Sequence, residues 1–304
     1  MNKIDAQLYF LKTIYKLEDF TFRTLREYPT RERKDSYPFL SCDTFSISSD
    51  YSIDRVEDAI KLLQGDENSV IYLNGSLLPE SAGILLKNLR DMETTYAKLL
   101  IGDSDFCPSS NILLQFEEYF NEIWSVNLRI TVSDKVHFLP LGLESARYRS
   151  AGQVRDFIKV PKYDANFRDI ELLVAWNDET WLMERKNLRE ILRLNPVTFE
   201  IRKRETSRYI HQLMRRTKIV PCPRGNGLDT HRFWESLYLG ALPALLKRDL
   251  LPGHEYWPHI TVQDWEEILD WDKKRILEIY LEKIPELIEF RSQAKLMLDT
   301  ICLK

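Results

Sequence analysis

The run from Ile219 to Leu246 constrains this chain more than any other. It reads as strand, glycine-rich turn, helix, turn and strand. Ile219 and Val220 are β-branched and suit a strand, and Pro221 and Pro223 close it because neither can donate to a sheet ladder. Gly225 and Gly227 allow positive φ and let backbone approach a ligand closely. Either Asp229 or Thr230 can cap the helix that follows with a side-chain oxygen. Phe233, Trp234, Leu237 and Tyr238 fall at the spacing of a buried helix face. Gly240 ends that helix, and Ala241 to Leu246 is an apolar strand interrupted by Pro243.

Free N–H groups at a helix start, a glycine turn and two nearby guanidinium groups make a place for a phosphate or diphosphate. The expected ligand set is Arg224, Gly225, Asn226, Gly227, Asp229, Thr230 and Arg232, with Glu235 accepting from ribose hydroxyls. The plainer reading is a βαβ unit with a tight turn and two solvated arginines. The density of charge, glycine and cap within a dozen or so residues favours the binding site.

The rest of the chain alternates between strand and helix patterns. Helices are expected over 3–29, 54–64, 79–93, 111–123, 180–194, 207–216 and most of 271–303. Strands are expected at 39–47, 69–73, from Lys98 to Ile101, around Ile130 and Val132, at 136–141, 170–176, 199–202 and 260–262. Residues 30–37 read as a charged loop. Such alternation predicts an α/β chain with parallel sheets covered on both faces. The expected division is an N-terminal α/β domain over 1–150, a linker or mobile loop over 151–168 and a second α/β domain over 169–283. The C-terminal helix, 284–304, is expected to cross back to the first domain. Arg185, Lys186 and Arg189 share one helix and are expected to be solvated, although one of them could reach a ligand.

A chain of 304 residues with a formal charge of −4 fits two ordinary domains and offers no global attraction to nucleic acid. Cys42, Cys107, Cys222 and Cys302 are far apart, which argues against a zinc site or a disulfide framework and for a reducing compartment. No apolar run approaches a membrane span, and the polar N-terminus lacks a signal peptide's apolar centre.

The central segment resembles the exostosin-type glycosyltransferases. Their pattern runs Pro-Arg-Gly-x-Gly-x-Asp-Ser/Thr-x-Arg-x-Trp-Glu-Ala/Ser-Leu and then Gly-x-Ile/Leu-Pro. Pro223, Arg224, Gly225, Gly227, Asp229, Thr230, Arg232, Trp234, Glu235, Ser236, Leu237, Gly240 and Pro243 all match, and a thinner similarity extends through residues 258–268. The resemblance implies two Rossmann-like domains facing a central cleft, the GT-B architecture. It implies transfer of a sugar from a nucleotide-diphosphate donor, UDP first, to a glycan or lipid-linked glycan. Neither metal nor cofactor is implied, inversion is favoured, and surface polysaccharide or lipopolysaccharide synthesis is the expected setting. Eukaryotic members are membrane-anchored, and this N-terminus departs from that, so a bacterial or viral cytoplasmic enzyme is expected, at the inner face of the membrane.

Inverting transfer needs a base for the acceptor hydroxyl. Asp105 is the first candidate, at the C-terminal end of the strand that delivers Gly102, Asp103 and Ser104, and Glu144, in the turn after Gly142, is the second. His231 and His254 could also enter the cleft. The Asp103-Ser104-Asp105 spelling admits a metal, but a diphosphate met by arginines and helix N–H groups needs one less.

Overall fold

The structure, a computed structural model, describes residues 33–91, 94–146, 154–203 and 205–302. The helix expected over 3–29 and the start of the loop at 30–37 lie outside them.

Two five-stranded sheets organise the described chain. The first contains Tyr51–Ile53 (β1), Val70–Asn74 (β2), Tyr96–Gly102 (β3), Phe120–Ser125 (β4) and Val136–Phe138 (β5), in the order β1-β2-β3-β4-β5. The second contains Ile170–Val174 (β6), Thr198–Glu200 (β7), Thr217–Pro221 (β8), Leu242–Leu246 (β9) and Ile260–Val262 (β10), in the order β10-β9-β8-β6-β7. Every pairing is parallel. Continuous apolar runs such as Val70–Leu73 and Leu99–Ile101 are buried throughout, as strands covered on both faces require. This is the expected α/β class, two Rossmann-like halves facing a cleft.

The helices are Cys42–Ser48 (α1), Leu78–Arg90 (α2), Ser110–Phe116 (α3), Arg155–Ile158 (α4), Leu182–Arg193 (α5), Ser207–Met214 (α6), His231–Tyr238 (α7) and Lys273–Cys302 (α8). Ile276, Tyr280, Leu287, Phe290, Ala294, Leu298 and Ile301 form the buried stripe of α8. This helix lies on β6, β8 and β9 and also packs against α1. Near its end, the Thr300 carbonyl accepts from Lys98 Nζ on β3 at 2.8 Å.

The strand order locates the ligand edge. In the first sheet the chain steps steadily from one strand to the next. In the second it leaves β6 for the edge strand β7, returns past β6 to β8, and then moves outward through β9 and β10. The loops after β6 and β8 therefore diverge at the carboxyl ends of the strands, which opens a crevice there.

Pro243 sits inside β9, opposite Val220 of β8. On the other side, β10 begins to pair only at Ala244. The missing N–H thus faces a point where no ladder bond is made.

Several expectations are corrected. The strand expected at Phe39–Ile47 is helix α1: Ser41 caps it by accepting from the Thr44 N–H at 3.1 Å. Its polar residues alternate because they are buried and paired, not because they face water; Asp43, for example, is 3.2 Å from Arg33. The helix expected over 111–123 stops at Phe116, and its second half becomes β4. Phe116, Phe120 and Ile123 are all buried at helix-like spacing, but a turn from Tyr119 N–H to the Phe116 carbonyl separates two elements. No strand forms at Ile130 and Val132, and Ile130 is exposed. The helix at 54–64 is a 3-10 helix, Val56–Gln64. Within the stretch read as linker, Arg168 is fully buried and donates to the carbonyls of Lys162, Met214 and Leu239. That end of the stretch is core rather than loop.

Candidate functional site

A cavity of about 760 Å³ lies between the two sheets' carboxyl edges. On one side it meets the loops after β3 and β5. On the other it meets the loops after β6 and β8, which flank the order reversal. It is lined by Asp105, Glu144, Gly225, Asn226, Gly227, Asp229, Thr230, Arg232 and Glu235 from the expected set. Arg224 is not among the lining residues: its guanidinium lies 4.0 Å over the Trp181 ring and bonds to the Gly225 and Asn226 carbonyls.

Helix α7 starts on this cavity. The N–H of Phe233 in its first turn donates to the Thr230 carbonyl at 3.0 Å, while those of His231 and Arg232 have no partner within the helix by geometry. Thr230 occupies the cap position, but its side chain makes no capping bond, and its buried Oγ1 has no partner among the described residues. Asp229 does not cap the helix either. Its carboxylate is fully buried and accepts from the Leu141 N–H at 2.9 Å and Trp234 Nε1 at 2.8 Å. His254 Nδ1 accepts from the Leu251 N–H, so Nε2 carries the proton and faces Asp229 at 3.4 Å. Asp229 is thus a buried tie from β8's loop to the first half of the chain. His254 is wholly buried beside it and does not reach the cleft.

Neither Gly225 nor Gly227 has positive φ; among described glycines only Gly142 and Gly240 do. Close approach explains them instead. A Cβ on Gly225 would sit 3.3 Å from Arg185, and one on Gly227 would sit 2.9 Å from Asn127 Nδ2. Asn127 Oδ1 accepts from the Leu228 and Asp229 N–H groups at 2.8 and 2.9 Å, while its Nδ2 donates to the Ser104 carbonyl. The carboxamide staples the β8 loop to the first half. Gly227→Ala must push Asn127 aside and is expected to destabilise the protein by about 2 kcal/mol, read from thermal melts.

One of Arg185, Lys186 and Arg189 does reach the cavity, as the second reading of their helix allowed. Arg185 on α5 is buried, contrary to the expectation of a solvated face, and it lines the cavity. Its guanidinium meets the carbonyls of Arg224, Asn177 and Pro223 and the Thr180 hydroxyl, with no carboxylate bond among the described residues. Burial, and then the field of Arg232, lowers its pKa to about 10. Its neighbour Arg189 is also buried, but is paired with Asp178 at 2.9 Å and Glu200 at 3.1 Å. Two mutually repelling guanidinium groups beside a helix N-terminus form a site that favours an anion.

Glu235 holds Arg232 at 3.0 Å and lies 3.5 Å from His211 Nε2. Burial opposes its charge, yet Arg232 and His211 outweigh it and hold the carboxyl near a pKa of about 2. His211, 1% exposed, is also 3.2 Å from Asp156. Burial disfavours the imidazolium, but the two carboxylates overcome it and raise its pKa. A raised folded-state pKa stabilises the protein fully below the unfolded value, about 6.5, and that contribution fades as pH rises through the folded one. The gap in melting temperature between wild type and His211→Gln should therefore be widest in mild acid and shrink toward alkaline pH.

At the start of α7, His231 Nδ1 donates to the Gly142 carbonyl of the first half at 2.8 Å, leaving Nε2 3.3 Å from Glu144. Burial raises the Glu144 pKa beyond what His231 takes back, and Glu144 and the Gly142 carbonyl raise that of His231 against burial. Asp105 is exposed at the mouth, where it accepts from Asn226 Nδ2 at 3.2 Å. Asp103 also lines the cavity, but its carboxylate is paired with Arg33 at 2.6 Å. Among the described residues no group of three or more His, Cys, Asp or Glu is placed to hold a metal ion, and no helix is long and apolar enough to cross a membrane.

Fold and site together define a two-sheet α/β protein with an anion-seeking cavity at a strand-order reversal. No protein-family model matches the chain, and no curated protein matches it. Among solved structures it is similar to one described as "Trehalose-6-phosphate from E. coli bound with UDP-2-fluoro glucose". That likeness has 10% sequence identity and a TM-score of 0.42, over 82% of this chain and 76% of the other.

Proposed function

We propose that this protein is a glycosyltransferase that moves a sugar from a nucleotide-diphosphate donor to a hydroxyl of a glycan acceptor. The observation that carries the reading is that Arg185, and Arg232 in the first turn of α7, line one cavity with Glu144 and Asp105. In this reading the diphosphate sits between the two guanidinium groups and the first N–H groups of α7, which stabilise it as it leaves. Glu235 sets the position of Arg232. The acceptor oxygen bonds to the anomeric carbon as the bond to the diphosphate oxygen breaks. Glu144 takes the hydroxyl proton, with His231 balancing its charge. Such a single displacement inverts the anomeric centre. Asp105 borders the acceptor's entry. The match of residues 223–243 to the exostosin-type pattern supports the assignment, and a glycan or lipid-linked acceptor on the cytoplasmic side of a membrane is its natural setting.

The test is calorimetry with UDP, GDP, ADP and CMP, followed by turnover of the sugar donor with added glycan acceptors. UDP is expected to bind, and transfer to require the acceptor and Glu144. Donor isomerised without acceptor would make this an epimerase, and binding without turnover a non-catalytic module. Absence of nucleotide binding refutes the reading outright.

A further inference from the structure

A second groove, of about 730 Å³, runs along α5 beside β9 and β10 and shares no lining residue with the cleft. Its volume is in the roughly 300–1,000 Å³ range of small-ligand sites. Leu188, Ile191 and Trp265 give it an apolar floor. Asn187, Gln263 and Glu266 stand around that floor with side chains that make no hydrogen bond among the described residues, and the buried Trp265 Nε1 also lacks a partner.

Trp181 is the distinctive wall. Its backbone is left-handed, with φ 62, a conformation that costs a bulky residue about 1–3 kcal/mol. The ring is fixed by an Nε1–H bond to Glu184 at 3.0 Å and by the Arg224 guanidinium 4.0 Å from its centroid. The residue is nonetheless 44% exposed. A strained backbone that presents a locked, exposed aromatic ring to a groove is the mark of a ligand platform.

We propose that this groove binds a neutral oligosaccharide. A pyranose has an apolar C–H face that stacks on an indole and hydroxyl edges that suit amides and carboxylates. The charges disfavour other occupants. Glu184, Asp264 and Glu266 against Arg248 give an acidic rim that repels an anionic lipid surface. A second copy docked face to face would bring the two acidic rims together. Binding here does not depend on the donor-site reading, and the two are tested by separate ligands.

The full chain is titrated with hexasaccharides of glucose, mannose, galactose and N-acetylglucosamine, with tryptophan fluorescence and NMR as readouts. At least one is expected to bind at millimolar concentration or below. Trp181→Gly should weaken it by about tenfold or more while keeping or raising the melting temperature, because glycine takes positive φ without strain. Asn187→Ala should weaken it several-fold with UDP affinity unchanged. The proposal is overturned if none of the four binds, or if binding survives both substitutions. Concentration-dependent self-association abolished by Met183→Glu would also overturn it, by assigning the groove to a second copy.

Discussion

Arg185→Met lowers affinity for UDP by about tenfold to a hundredfold and costs a few degrees of melting temperature. Each charge-assisted bond to a phosphate oxygen is worth roughly 1.5–3 kcal/mol, and Arg185 has one N–H left to make it after Arg224, Asn177, Thr180 and Pro223 take the others. The stability cost stays moderate because, among the described residues, Arg185 neutralises no carboxylate through a hydrogen bond. Of the carbonyls it releases, that of Asn177 borders the cavity, where water can reach it, while that of Pro223 is buried. Arg232→Met is the informative contrast. It removes a phosphate partner and also strips Glu235 of its nearest cation, so affinity and melting temperature should fall together. Calorimetry with UDP and thermal melts on both variants separate the cases. Unchanged UDP affinity in Arg185→Met would show that the anion site lies elsewhere.

Asp229→Ala has the largest expected effect on stability, about 3–5 kcal/mol, or roughly 10 °C in a chain of this size. The carboxylate is fully buried and accepts from the Leu141 N–H and Trp234 Nε1, with His254 Nε2 against it. Each donor left unpaired costs about 1–3 kcal/mol, and the lost volume adds a small cavity. Asp229→Asn keeps an acceptor for one donor but turns an amide N–H₂ toward another, so it should fall between wild type and alanine. A melting temperature for Asp229→Ala within a degree or two of wild type would contradict the role given to this residue.

The parts of this molecule legible in its sequence are those whose causes are local. Ile219 to Leu246 could be read as strand, turn, helix and strand because prolines, glycines and apolar spacing act over a few residues. Long-range causes were not legible. Arg185 looks like any charged residue on an amphipathic helix; only the β8 loop, folded against it, takes it out of water. Asn127 carries no motif, yet its carboxamide is what the backbone at residue 227 approaches too closely for any side chain. Asp229 was read from its place before a helix as a cap or ligand, whereas its partners come from Leu141, Trp234 and His254. Helix α1 escapes such reading because the burial of Cys42 to Ser46 on every side leaves no polar face to show a period of 3.6, and β4 because Phe116, Phe120 and Ile123 are buried at helix-like spacing.

The bonds that join the two halves are unevenly placed. Leu40 N–H to the Tyr238 hydroxyl, Leu141 N–H to Asp229, and Asn127 to Leu228 and Asp229 are all buried. The Asp105–Asn226 bond at the mouth is exposed. Any swing that parts the halves must therefore pivot about the buried seam, as a jaw does, with Asp105 and Asn226 as its teeth. An exposed polar pair holds such a jaw shut only weakly, so a substrate entering from that side meets a door on the latch rather than a wall.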